Sequence, residues 1–134
     1  MNKIIVNGTF DIVHRGHIEM LNYAKSLGEY LLVLIDSDSR VKELKGSNRP
    51  VNNQHDRQFV LNNIKAVDDV WLFDSEQDLI DKIKMYSPDI MVKGSDYRGK
   101  AVVGKELVSE IIYYDRTEHS TTKTIQDLID RGHL

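Results

Sequence analysis

Two histidines three residues apart, His14 and His17, stand where an apolar run gives way to a helical pattern. The β-branched run Ile4-Ile5-Val6, followed by Asn7-Gly8, reads as a buried strand that stops at a turn. From Gly16 onward Ile18, Leu21, Tyr23, Ala24 and Leu27 fall on one helical face, and Gly28 supplies a stop. Residues three apart on a helix point the same way, so both imidazoles meet at one helix entrance. In a parallel α/β sheet that end faces the ligand crevice, and the helix N-terminus favours phosphate. Imidazole N–H donors placed there can stabilise charge that builds up during phosphoryl or nucleotidyl transfer. The same spacing is also that of a helix cap, or of half a metal site. A zinc site wants further Cys or His ligands. The chain has no cysteine, and of His55, His119 and His133 only His119 is a candidate third ligand.

Other groups suited to anions lie further along. Residues 41–50 hold Lys42, Lys45, Gly46 and Arg49, a basic cluster in a chain of net charge −3. It reads either as a solvated loop or as a mobile flap whose cations grip phosphates, Lys as a point charge and Arg as a fork. Arg57 sits near a helix start, against the dipole, which calls for an anion partner or a pairing with Asp56 or Asp38. Lys93-Gly94-Ser95-Asp96 follows an apolar run, and a glycine at a strand's carboxyl end permits close approach by a ligand. Ser120-Thr121-Thr122 opens the last helical pattern; a cap explains one hydroxyl, and three beside exposed N–H groups also make a phosphate cradle.

These groups must be carried by regular elements. Strands are expected at 4–6, 30–35, 67–73, 89–92 and 110–114. Between them come the helix from Gly16, a helix capped by Asn52 or Asn53 with Phe59, Val60, Leu61 and Ile64 buried, and a helix over 76–86 closed by Pro88. A final helix turns Ile125, Leu128 and Ile129 inward, and residues 36–40 form a polar loop at the same sheet edge as His14. Alternating strands and helices with short links predict an α/β fold, a Rossmann-like, doubly wound, five-stranded parallel sheet with helices on both faces. Residues 1–134 are expected to form a single domain.

Composition excludes several classes. With 18 basic and 21 acidic residues the chain is not a general nucleic-acid binder. No apolar run approaches the ~20 residues of a membrane span. The absence of cysteine removes any disulfide framework, and Met1-Asn2-Lys3 leads straight into a strand with no signal peptide expected. A cytoplasmic protein is the expectation.

Gly8-Thr9-Phe10-Asp11 followed by His14-Arg15-Gly16-His17 resembles the HxGH signature of the nucleotidyltransferase superfamily, in its cytidylyltransferase-like branch. That resemblance implies transfer of a nucleoside monophosphate from a triphosphate, with pyrophosphate released. Leu44-Lys45-Gly46, Arg49-Pro50-Val51-Asn52, Val92-Lys93-Gly94-Ser95-Asp96-Tyr97 and Val102-Val103-Gly104 are similar to the heptose-1-phosphate adenylyltransferase domain of ADP-heptose synthases. Arg116-Thr117-Glu118 instead resembles the glycerol-3-phosphate cytidylyltransferases. The first likeness accounts for more of the chain. One departure is that His119 replaces the family's glycine before Ser120-Thr121-Thr122 in a loop one residue shorter, which puts the base preference in doubt.

The resemblance implies catalytic roles for His14, His17, Lys45 and Thr121. It places Thr9, Phe10, Lys93, Gly94, Asp96, Arg116, Ser120, Thr121 and Thr122 with His14 and His17 around the nucleotide. Asp11, Lys45 and Arg57 fall on the acceptor side, Asp11 and Arg57 alternatively orienting His14. A magnesium ion held mainly by the triphosphate is expected, with no metal held by protein groups. The implied partners are a nucleoside triphosphate and a phosphorylated sugar or polyol, with a homodimer suggested by relatives. The strand order implied sets the first and fourth strands side by side, with Gly8 beside Gly94. Two other readings are a nucleotide-binding module without turnover and an adenylyltransferase for flavin or coenzyme A precursors; residues 42–49 are too basic for an apolar phosphopantetheine pocket.

Overall fold

A computed structural model describes residues 2–115 and 121–132, the side chains of 121–124 excepted. The strands are β1 (Lys3–Gly8), β2 (Tyr30–Asp36), β3 (Asp69–Phe73), β4 (Ile90–Gly94) and β5 (Glu110–Tyr114). All pair in parallel, in the order β3-β2-β1-β4-β5. The helices are α1 (Arg15–Ser26), α2 (Asp38–Lys45), α3 (Gln54–Asn62), α4 (Glu76–Tyr86) and α5 (Thr121–Asp130), with 3₁₀ turns at Ser95–Tyr97 and Lys105–Leu107.

Alternation along the central strands sorts the core into two layers. Ile4, Val6, Leu31, Val33 and Ile35 pack with Leu21 and Ala24 of α1 and Leu61 of α3. Ile5, Leu32, Leu34 and Met91 pack on the other face with Leu79, Ile83 and Tyr86 of α4. Burying a Leu or Ile side chain stabilises by about 1.5–3 kcal/mol, so these two layers fix the sheet between its helices. The doubly wound sheet expected from the sequence is the one observed. Trp71 is a packing residue, edge-on to Tyr86 with ring centroids 6.0 Å apart.

Two elements differ from the sequence reading. Residues 38–45, expected as loop and flap, form helix α2: the Ser37 hydroxyl caps it by accepting from Arg40 N–H, and Asp38 lies in the first turn. Only Val41 of this helix is buried, so it has almost no apolar stripe for periodicity to detect. In α3 the inward stripe is Arg57, Leu61 and then Ile64 just past the helix end, while Phe59 is 71% exposed and Val60 45%. An arginine occupies the core-facing position, which turns two of the expected apolar residues outward.

β1 and β2 are in register from Lys3↔Tyr30 through Gly8↔Ile35. β1 and β4 pair only at Ile4↔Ile90 and Ile5↔Met91, then part. The crossover direction reverses at this pair, and the gap between their carboxyl ends is where a doubly wound sheet binds ligands. Among the described residues no helix is long and apolar enough to cross a membrane.

Candidate active site

The gap opens into a cleft of about 330 Å³, with Gly8, Thr9, Phe10, His14 and His17 on one side and Lys93 and Gly94 on another. His14 is the N-cap of α1, in extended backbone, and its Nδ1 accepts from Gly16 N–H at 3.1 Å. His17, at the third helical position, accepts the His14 backbone N–H on its own Nδ1, also at 3.1 Å. This is a reciprocal capping box built from two histidines in place of the usual hydroxyl and carboxylate. A ring nitrogen that accepts an N–H carries no proton, so each neutral imidazole bears its proton on Nε2. The cap therefore sets the tautomer and presents two Nε2–H donors from rings 4.0 Å apart. The cap that the sequence offered is thus observed, and both of its rings line the cleft.

Phe10 supports this arrangement. It is buried with φ 53°, a conformation uncommon outside glycine, and its ring lies 5.2 Å from that of His17. A Cβ on Gly8 would come within 3.1 Å of the Phe10 ring, so glycine there lets the sharp turn after β1 close. Asp11 is also buried, and its carboxylate accepts from Val51 and Asn52 N–H at 2.8 Å each and from Arg49 Nε at 3.4 Å. Its role in the fold is to pin residues 49–52 beside the cleft.

The cations divide into two kinds. Lys45, the last residue of α2, lines the cleft and donates from Nζ to Thr9 Oγ1 at 3.1 Å. Lys45 is exposed as a residue, yet partial burial of its ammonium, with Arg49 adding, holds it below the usual lysine range; Asp36 and Asp11 oppose this. Arg57, expected toward the acceptor, is instead fully buried and committed to the protein. It donates to the carbonyls of Asn52, Thr9 and Asp36 and to Asp38 Oδ1, all at 2.9–3.0 Å. Its anion partner is the alternative that the sequence offered, Asp38. The guanidinium satisfies the carbonyls of Thr9 and Asp36, where β1 and β2 end, and that of Asn52 ahead of α3, so its donors are spent on the protein and not on the cleft.

On the β4 side Lys93 is buried, lines the cleft, and carries its Nζ 4.4 Å from the Tyr97 ring. Gly94 and Tyr97 line the cleft with it, whereas Asp96 stands in the exposed 3₁₀ turn beside them. Arg116 and Ser120 and the side chains of Thr121 and Thr122 lie outside the described residues. Among the described residues no group of three or more His, Cys, Asp or Glu side chains could hold a metal ion.

The sequence reading overlooked Asn7 and Asp36, both cleft-lining. The Asp36 carboxyl lies above its usual range because of burial, against the pull of Lys45, Arg40 and Arg57. The available signal was alternation: a polar residue at the carboxyl end of a buried strand, in phase with core residues.

Comparison with known proteins supplies a context for this geometry. The model of the family described as Cytidylyltransferase-like matches residues 5–127. The chain is 45% identical over 122 residues to the bifunctional protein HldE of a Nitratiruptor species, covering 91% of this chain and 26% of that protein. It is 48% identical over 122 residues to the bifunctional protein HldE of Campylobacter fetus subsp. fetus, with the same coverage. The chain thus spans about a quarter of the length of these curated relatives. Among solved structures it is similar to a lipopolysaccharide core biosynthesis protein from Thermoplasma volcanium, with a TM-score of 0.65 and 26% identity over 86% of this chain and 99% of that one. A bifunctional NMN adenylyltransferase/ADP ribose pyrophosphatase from Francisella tularensis shares the fold, with a TM-score of 0.64 and 16% identity over 96% of this chain and 42% of that one.

Proposed function

This chain belongs to the cytidylyltransferase-like family and is a nucleotidyltransferase, and from that premise we propose that it moves AMP from ATP to D-glycero-D-manno-heptose 1-phosphate. The products are ADP-heptose and pyrophosphate. The observation that carries a nucleotidyl transfer is the histidine capping box, which fixes two imidazoles by their Nδ1 atoms at a helix N-terminus that lines the cleft. The choice of acceptor rests on the similarity of Leu44-Lys45-Gly46, Arg49 to Asn52 and Val92 to Tyr97 to the adenylyltransferase domain of ADP-heptose synthases, and on the identity with the HldE proteins.

The reaction is an in-line attack by an acceptor phosphate oxygen on the α-phosphorus, with the bond to pyrophosphate breaking. An ionised phosphate is already nucleophilic, so the site needs no side-chain nucleophile or strong base. Its work is positioning and charge neutralisation. His14 and His17 donate to α- and β-phosphate oxygens, and Lys45 leaves Thr9 to neutralise the phosphates, with Arg49 beside it. Thr9 and Phe10 approach the nucleotide through their backbone, while Lys93, Gly94, Asp96 and Arg116 line the base and ribose side. Ser120, Thr121 and Thr122 hold the β/γ-phosphates at the start of α5. Asp11 contributes by positioning Arg49. A magnesium ion carried by the triphosphate would add to this neutralisation, since Mg²⁺ commonly sits on phosphates with few protein ligands.

The test is pyrophosphate release with magnesium, crossing ATP and CTP against the heptose 1-phosphate and glycerol 3-phosphate. Turnover with ATP and the heptose phosphate alone is the expected result. Turnover only with CTP and glycerol phosphate makes the Arg116-Thr117-Glu118 likeness the deciding one. Triphosphate binding with no turnover against a broad acceptor panel overturns the catalytic reading in favour of a binding module.

A further inference from the structure

The register of β1 on β2 makes Asn7, opposite Leu34, and Asp36, two residues beyond Leu34, diagonal neighbours on one face of the sheet. On that face Ile5, Leu32 and Leu34 belong to the α4-side core. The pattern changes from aliphatic to polar at the last residue of each strand that shares the face, where both side chains line the cleft. The Asn7 Oδ1 atom is buried and meets no donor among the described residues. The Asp36 backbone carbonyl is held by Arg57, but among the described residues no other residue donates a hydrogen bond to its carboxylate. A fold that fills this face with aliphatic side chains, and then ends it in an amide oxygen with no donor among the described residues beside a carboxylate bonded there only by its own backbone N–H, leaves acceptor capacity for a ligand.

The surroundings define that ligand. Lys45, Arg40 and Arg57 already supply positive charge around Asp36, which disfavours a metal ion and suits neutral O–H donors. Lys45 and Arg49 line the same cleft and suit an anion. A molecule with a phosphate at Lys45 and Arg49 and hydroxyls on the adjoining carbons matches both features. We propose that Asn7 and Asp36 form a hydroxyl-reading subsite for the acceptor, Asp36 accepting from one hydroxyl of a phosphorylated polyol and Asn7 Oδ1 from its neighbour. This rests on the phosphorylated-acceptor reading above. It adds the residues that distinguish a polyhydroxylated acceptor from a bare phosphate ester.

The experiment uses Asn7→Ala and Asp36→Asn with the acceptor that the wild type turns over and with its 2-deoxy analogue. Acceptor and triphosphate KM values are measured separately, along with the melting temperature. A polar site that loses its hydroxyl partner discriminates by about tenfold or more. Each variant is therefore expected to raise the acceptor KM by about that factor, to leave the triphosphate KM within about twofold, and to narrow the gap between acceptor and deoxy analogue. Asn7→Ala removes an orphaned acceptor, so it melts at or above wild type, which a purely structural residue would not do. Should Asp36→Asn melt lower, Asn7→Ala decides the outcome alone. A triphosphate KM that rises in step with the acceptor KM, or an undiminished preference over the deoxy analogue, overturns the subsite. Wild-type enzyme inert toward every phosphorylated polyol overturns the functional reading and the subsite together, whereas an active wild type with unchanged variants overturns the subsite alone.

Discussion

At His14 and His17 the Nδ1 atom of each ring closes the helix cap, and both rings line the cleft. The two duties are separable by substitution. Asparagine is among the best N-cap residues, so His14→Asn keeps the Gly16 N–H satisfied but loses the Nε2 donor. Its melting temperature is expected to stay near wild type while kcat falls about 10²–10³-fold, as for removal of one transition-state donor. His14→Ala loses both functions, with about 1 kcal/mol of stability added to the same rate loss. Thermal melts alongside steady-state rates check the pair; equal melting losses for Asn and Ala would show that the Nδ1 contact is not the cap. The spacing of these histidines was legible in the sequence, but which nitrogen faces the backbone was not, because that depends on the extended backbone at residue 14.

Among the elements, α2 brings a cation to the cleft at its C-terminus and α3 packs one into the core. Lys45 at the α2 C-terminus is favourably placed on the helix dipole yet kept below the usual lysine range by burial. A lowered lysine pKa means that the charge is lost at a lower pH than in free lysine. The alkaline limb of kcat/KM, which reports the free enzyme, is expected to set in early and to move to higher pH in Lys45→Arg, whose guanidinium stays charged. A pH profile with an unshifted limb in the arginine variant would assign it to another group. In α3 the expectation inverts the usual hydrophobic ranking. Arg57→Ala strips donors from three carbonyls and a carboxylate and is expected to destabilise by about 3–5 kcal/mol. Phe59→Ser, two residues on and exposed, is expected to change stability by about 0.5 kcal/mol or less. Denaturant titration of the two variants measures both. Sequence periodicity found this helix and its inward Leu61 and Ile64 but turned Phe59 and Val60 inward too, because an arginine fills the core-facing slot.

For the molecule as a unit the decisive feature is that β1 holds β2 along its length but leaves β4 after Ile5. The cleft opens there, and ligand that bridges the histidine side to the Lys93 side binds only the folded chain. Magnesium triphosphate at ~100 times its Kd is expected to stabilise the fold by about 2.7 kcal/mol, and removing it by dialysis should return the melting temperature to its starting value. Thermal melts across a ligand titration test this, and a melting temperature independent of ligand would place the nucleotide elsewhere.

The strands, most of the helices, the parallel α/β architecture and the candidate anion site at residues 14–17 were all legible in the chain before it folds, because they follow from local periodicity, caps and short-range spacing. The environments of Asn7, Asp36 and Arg57 were not. They come from residues far apart in the chain: Leu34 opposite Asn7, Lys45 near Asp36, and the Thr9 and Asp36 carbonyls on Arg57. A polar side chain carries no local sign of whether it will end in water, in a ligand cleft or against buried carbonyls. That outcome depends on which backbone groups the crossovers bring within hydrogen-bonding distance, and those distances exist only once the sheet has formed.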